Sequence, residues 1–216
     1  MKNLPFFAKI VFTLVLFAPS YGVFASEIRP EILEKIRRGV VVIDSRISVA
    51  AYNDPSNSTG TGFIADKKMG LVVTNAHMVT PASVGIYFVT FFNGQQTEAK
   101  VIYYDSWQDY AILKIDQSAI PSDATEVPFA NKAPKVNDNI FIVGNNEAQA
   151  FSFHSGHLSN LDEINGDLPQ QSYVVNLNST GGSSGSPLVN LNGEAVGLHY
   201  AASQTYGLSL KGEYVT

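Results

Sequence analysis

Val40-Val41-Val42-Ile43-Asp44-Ser45-Arg46-Ile47 is the stretch at which the periodicity of this chain changes. Upstream of it, Ile28, Ile32, Leu33 and Ile36 recur at helical spacing with charges between them, so residues 28–38 read as a short amphipathic helix. From Val40 onward, short β-branched and aromatic runs alternate with Gly, Asn, Asp and Pro. The candidate strands are Val40–Ile47, Gly60–Ala65, Leu71–Thr74, Val84–Phe92, Glu98–Tyr104, Tyr110–Ile115, Asn139–Val143, Ala150–Leu158, Tyr173–Leu177, Pro187–Asn190, Glu194–Tyr200 and Tyr206–Leu210. Asn93-Gly94 and Asn192-Gly193 are hairpin signals, because tight hairpin turns need positive φ. Short strands in this number, with no fixed repeat period, place the chain in the all-β class rather than the α/β class.

The chain has 216 residues, no cysteine and a formal charge of −5. Lys2 and Lys9 flank a basic start, Ile10–Ala18 is an apolar run, and Val23-Phe24-Ala25 precedes Ser26. Residues 1–25 therefore read as a secretory signal peptide, and the apolar run is short for a membrane span. Those residues hold two lysines and no acid, so Lys+Arg falls from 14 to 12 against 19 acids and the mature charge is −7. An acidic surface without a Lys/Arg cluster argues against a nucleic-acid partner. Nothing later in the sequence is long and apolar enough to span a bilayer. The absence of cysteine fits an exported domain whose core suffices without disulfides, with the periplasm or full secretion as its destination. Gln117–Asn137 carries Pro121, Pro128 and Pro134 with little periodicity and reads as a crossover between two β domains. The expected division is 1–25 signal peptide, 26–118 first domain with its leading helix, and 119–216 second domain. Asn53–Thr61, rich in Ser, Asn and Gly, reads as an exposed mobile loop.

Gly181-Gly182-Ser183-Ser184-Gly185-Ser186-Pro187 leads into the apolar run Leu188–Leu191. Small residues around one serine let the backbone turn sharply. Such a turn can present the Ser184 hydroxyl while the Gly182 and Ser184 amides point into the same space, the arrangement of a nucleophile beside an oxyanion hole. His77 follows the apolar strand Leu71–Thr74, and Asp109 stands at the mouth of Tyr110–Ile115. Alone, each has a plainer reading: a flexible loop, a surface histidine, a strand-capping acid. Together they supply what a serine nucleophile lacks at neutral pH, a base within reach and an acid that fixes its tautomer. His77 and Asp109 precede the crossover and Ser184 follows it, so the site would lie in a cleft between the two domains.

Five blocks resemble the successive signatures of HtrA/DegP-type serine proteases of the chymotrypsin-like superfamily. They are Thr59–Ile64, Val72–His77, Asp109–Ile115, Ser155–Ser159 and Gly182–Asn190, in family order and spacing. The resemblance implies two six-stranded antiparallel β-barrels. It implies His77 as general base, Asp109 as orienting acid, Ser184 as nucleophile, and the amides of Gly182 and Ser184 as the oxyanion hole. No cofactor is implied. The substrates implied are unfolded or exposed polypeptide segments. Two departures stand out. Ser183 occupies the place where trypsin-like enzymes carry an aspartate that pairs with a new N-terminus, so trypsin-type activation is not expected. HtrA proteases usually carry a following PDZ domain, and gating through one is not carried over to this chain. HtrA trimers are built through N-terminal aromatic contacts; Ser26–Arg38 has no aromatic residue, which leaves a trimer as an open expectation.

Thr180–Pro187 with Gly197-Leu198-His199 also resembles glutamyl endopeptidases, in which a hydroxyl and a histidine at the positions of Ser179 and His199 contact the substrate glutamate. A hydroxyl and an imidazole converging on one pocket can hold a carboxylate. The plainer reading is that His199 lines the pocket wall and small apolar side chains are preferred. His154 and His157 have His-x-x-His spacing, but on a strand they face opposite sides and no further ligand completes a zinc set, so no metal site is expected. Tyr103, Tyr104, Trp107 and Tyr110 read as core and interface packing. The expected function is a serine endopeptidase. The alternative is a chaperone-like polypeptide-binding relative with dormant catalysis. An esterase is disfavoured, because nothing matches the α/β-hydrolase elbow or its Ser…Asp…His order.

Overall fold

A computed structural model describes residues 28–49, 56–79, 84–147, 149–164, 168–203 and 205–215. The signal-peptide reading, and residues 53–55 of the expected loop, lie outside the described residues. The chain opens with helix α1, Pro30–Gly39. Pro30 begins it, Glu31 lies in its first turn and Arg37 and Arg38 in its last, each favourable to the helix dipole. Its apolar side, Ile32 and Ile36, joins a buried cluster with Val127, Val189 and Ala195.

The first closed barrel is built from β1 (Val40–Val49), β2 (Ser56–Asp66), β3 (Leu71–Thr74), β4 (Val84–Thr90), β5 (Gln96–Asp105) and β6 (Tyr110–Ile115). The second is built from β7 (Asn139–Asn146), β8 (Gln149–Ile164), β9 (Gln171–Asn176), β10 (Pro187–Val189), β11 (Ala195–Ala202) and β12 (Gly207–Lys211). Every pairing between these strands is antiparallel. The alternation read from sequence becomes burial. In β6, Ala111, Leu113 and Ile115 are buried, with Tyr110, Ile112 and Lys114 less so. Val41, Ile43, Ile64, Val72 and Leu113 fill the first barrel, and Ile140, Ile142, Leu158, Val175 and Leu188 fill the second. A third cluster joins Phe63 and Val73 of the first barrel to Phe141, Val143 and Leu198 of the second.

The crossover is tied to both barrels. The Val127 amide donates to Ile64 O of β2 at 3.0 Å, and the Ala130 amide to Ala195 O of β11 at 2.8 Å. Both hairpin signals hold: Gly94 and Gly193 have φ of 83° and 80°. Two expectations change. Residues 56–59, read only as loop, belong to β2, where Asn57 pairs with Arg46 and Thr59 with Asp44; a polar strand end carries no apolar alternation to reveal it. Trp107 and Tyr103 are not packed inside: they are 73% and 44% exposed. A register shift between Val101 and Tyr103 breaks the alternation of β5, and Trp107 sits in the turn beyond it.

Candidate active site

His77 comes from a short 3₁₀ turn, Ala76–Met78, directly after β3. Ala76 and Met78 are buried and anchor the turn, which leaves the His77 side chain 45% exposed. Asp109 precedes β6 and is nearly buried. Its carboxylate meets His77 twice: Oδ2 lies 2.8 Å from Nδ1, and Oδ1 accepts the His77 backbone N–H at 2.9 Å. Asn75 Nδ2 donates to the Asp109 carbonyl at 2.9 Å. Asp109 has φ of 50°, a left-handed backbone that a non-glycine residue holds only where its surroundings fix it. The bonds from Asn75 and His77 do that. A carboxylate on Nδ1 places the imidazole proton there and leaves Nε2 as a base facing outward.

The Ser184 loop lies against the first barrel through Thr61 of β2. The Thr61 amide donates to Ser184 O at 2.8 Å, and its hydroxyl donates to Gly182 O at 2.8 Å while accepting the Asn145 amide at 2.8 Å. Thr74, three residues before His77, donates its hydroxyl to Thr61 O at 2.7 Å. The two halves of the site thus share one hydrogen-bonded seam. Gly182 and Gly185 have φ of 96° and 86°, and a β-carbon at either would run into a carbonyl, that of Asn145 or of Thr61. Ser183 is buried and donates its hydroxyl to Thr180 O at 2.6 Å, closing the loop without an ion pair. The amides of Ser183, Gly185 and Ser186 are bonded to Thr180, His199 and Ser183 carbonyls. Among the described residues the amides of Gly182, just before Ser183, and of Ser184, just after it, have no hydrogen-bond partner. Nor, among them, does a hydrogen bond join His77 Nε2 to Ser184 Oγ.

Ser179, Ser184 and His199 line one cavity of about 930 Å³, with Asn146, His154 and Tyr200 among its other walls. His199 is buried, with Nδ1 3.2 Å from Ser209 Oγ. Burial pushes its pKa down to about 4, so the ring is neutral at pH 7. Among the described residues, His199 Nε2 and Ser179 Oγ are both buried without a hydrogen-bond partner. Buried polar atoms without a partner, in residues that line a cavity, call for an explanation, and a polar ligand group is one.

Thr61, Thr74, Asn75 and Asn146 escaped the sequence reading of roles. The first three lie inside the signature blocks, which is the one pointer the sequence offers. Asn146 has none, since the residue it holds, Thr180, is 34 positions away.

Comparison with known proteins identifies the family and the fold. A family model described as trypsin-like peptidase domain matches residues 60–198. The chain is similar to the pro-apoptotic serine protease NMA111 of Chaetomium globosum, 34% identical over 177 residues, covering 77% of this chain and 17% of that protein. It is also similar to NMA111 of Debaryomyces hansenii, 33% identical over 184 residues, covering 80% of this chain and 18% of that one. The chain thus spans less than a fifth of the length of these curated relatives. Among solved structures, the active form of the Rv3671c protease from M. tuberculosis shares the fold with a TM-score of 0.73 at 23% identity, over 94% of this chain and 91% of that one. The HtrA-type protease AlgW with tripeptide does so with a TM-score of 0.74 at 19% identity, over 85% and 60%. The chain belongs to the trypsin-like peptidase domain family.

Proposed function

We propose that this member of the trypsin-like peptidase domain family is a serine endopeptidase that uses Ser184 as nucleophile, His77 as general base and Asp109 as its orienting acid. The observation that carries the reading is the two-point contact of Asp109 with His77, at 2.8 and 2.9 Å, on the seam where the Ser184 loop is tied down. Ser184 Oγ attacks the scissile carbonyl as its proton passes to His77 Nε2. The amides of Gly182 and Ser184 receive the negative oxygen. The C–N bond breaks as His77 returns the proton to the leaving amine, and water then releases the acyl group by the same route. The substrates are unfolded or exposed polypeptide segments. A fluorophosphonate probe tests this: it labels wild type, and Ser184→Ala abolishes labelling. A folded wild type that resists the probe sinks the reading.

The pocket beside Ser184 supports a finer proposal, a preference for an acidic residue before the scissile bond. The neutral His199 ring can donate from Nε2 while Nδ1 accepts from Ser209, and the Ser179 hydroxyl can donate beside it. A peptide-library digest decides. Cleavage after Val, Ala or Leu and never after Glu or Asp overturns the acidic preference.

One observation favours a second reading, a polypeptide-binding protein with dormant catalysis: among the described residues His77 and Ser184 are not hydrogen-bonded. Catalytic hydrogen bonds in unliganded enzymes often tighten only when substrate binds, so the first reading is preferred. Client binding without probe labelling would select the second. We also propose export, because residues 1–25 have the pattern of a signal peptide. Among the described residues no helix is long and apolar enough to cross a membrane. Cell fractionation with N-terminal sequencing tests this; a cytoplasmic chain retaining Met1 refutes it.

A further inference from the structure

The turn that carries the Gly182 amide is held at its start by Asn146, at the end of β7. Asn146 Oδ1 lies 2.7 Å from the Thr180 amide and 2.6 Å from the Thr180 hydroxyl. The other end of the Asn146 amide lies 2.7 Å from His154 Nε2 on β8. The polarity of this chain of bonds is fixed by one atom. A backbone N–H can only donate, so the Asn146 atom facing Thr180 is the oxygen. The atom facing His154 is then the NH₂ group, which also can only donate. His154 Nε2 must therefore present a lone pair, with the ring proton on Nδ1 and the ring neutral. The next links of the turn are held from the same strand end and from the first barrel. The Glu147 amide donates to Gly181 O at 3.0 Å, and the Thr61 hydroxyl to Gly182 O at 2.8 Å.

We propose that Asn146, oriented by the lone pair of His154 Nε2, is a positioning residue for the oxyanion turn. The proposal rests on the serine endopeptidase reading. Neither residue touches the reacting atoms: Asn146 acts on Thr180, and Thr180 sets the course of Gly181 and Gly182. His154 and Asn146 both line the cavity beside Ser184, so the brace forms part of the pocket wall. Burial, opposed by the charge of Glu147, pushes the His154 pKa below its usual value, in keeping with a neutral ring. The titratable groups that share the cavity with His154 are Glu147, His199 and Tyr200. With Asp at position 146, the carboxylate would still accept from Thr180 but would have no hydrogen to give His154, and would draw a proton onto Nε2 instead.

The test combines kinetics with ¹⁵N NMR of the histidine rings in the full chain. An oxyanion hole acts in the transition state, so Asn146→Ala is expected to lower kcat about 10- to 100-fold while KM stays within about twofold. A tetrahedral peptide-aldehyde inhibitor should weaken in step with kcat. His154→Phe, which cannot accept a hydrogen bond, should show the same pattern, and His154→Gln, which can, should restore most of the loss. That pair carries the comparison if Asn146→Ala does not fold. In wild type the His154 ring should give the Nδ1–H tautomer, and Asn146→Asp should move its pKa upward past that of a free histidine. An Nε2–H tautomer in wild type overturns the proposal, as does a fall confined to KM or failure of His154→Gln to outperform His154→Phe. A wild type without turnover or probe labelling overturns the endopeptidase reading and the positioning role with it. The NMR experiment in that case still decides whether the brace itself exists.

Discussion

Replacing Thr61 by valine removes one hydroxyl and keeps the shape of a fully buried side chain. That hydroxyl donates to Gly182 O and accepts from the Asn145 amide, each at 2.8 Å. The valine variant leaves both backbone groups without a partner. One stranded buried polar group costs about 1–3 kcal/mol. Gly182 is only half-buried, so its carbonyl recovers part of its loss from solvent. The expected destabilisation is therefore about 2–4 kcal/mol in total. For a chain of this size it should lower Tm by roughly 4–16 °C. On the endopeptidase reading, the freed carbonyl also loosens the proposed oxyanion turn, and kcat should fall by about tenfold or more with little change in KM. Urea unfolding, thermal melting and steady-state kinetics measure all three. Thr61→Ser keeps the hydroxyl and should recover most of the stability and rate. A valine variant within about 0.5 kcal/mol of wild type, or a serine variant as impaired as valine, refutes the idea that this hydroxyl ties the barrels together at the site.

Three further predictions follow from other parts of the site. Asp109→Asn keeps the bulk of the side chain but removes the charge that orients and stabilises the His77 imidazolium; kcat at neutral pH should drop by on the order of 10⁴, and a loss under tenfold would refute the role. His199 is held neutral by burial with a pKa near 4, against about 6.5 when unfolded, so its contribution to stability is intact above pH 6.5 and is lost as pH falls toward 4, below which both states are protonated. The loss amounts to about 3 kcal/mol; urea unfolding at pH 7 and pH 4.5 should show a slope that His199→Gln largely removes, and identical slopes refute it. Gly185→Ala places a β-carbon against the Thr61 carbonyl at φ of 86° and should destabilise the fold by at least about 3 kcal/mol; a melt near wild type would show that the loop relaxes freely.

Much of this protein follows from local pattern. The 28–38 helix, the strands Leu71–Thr74 and Tyr110–Ile115, and both Asn-Gly hairpins appear where periodicity and turn chemistry put them. Those signals are short-range: burial of alternate residues and positive φ at a turn are properties of a few neighbours in the chain. The polar ends of β2 and β8 escaped, because exposed strand residues such as Asn57 and Asp162 carry no apolar alternation. Trp107 was misread because an aromatic in sequence looks the same whether packed or exposed.

The candidate residues His77, Asp109 and Ser184 were legible because each stands at a strand end in a distinctive block. Sequence alone determined the residue types available for acid–base and nucleophilic chemistry, and the glycines that let the Ser184 loop turn. Tertiary structure decided how they are held. The Thr61 hydroxyl joins β2 to the Ser184 loop across 121 residues, and Asn146 reaches Thr180 across 34. A side-chain bond to a distant backbone atom leaves no period in the sequence. The neutral state of His199 belongs to burial, and the lone pair of His154 to the direction of its neighbour's donor. Both are properties of an environment that exists only once the second barrel has closed around it.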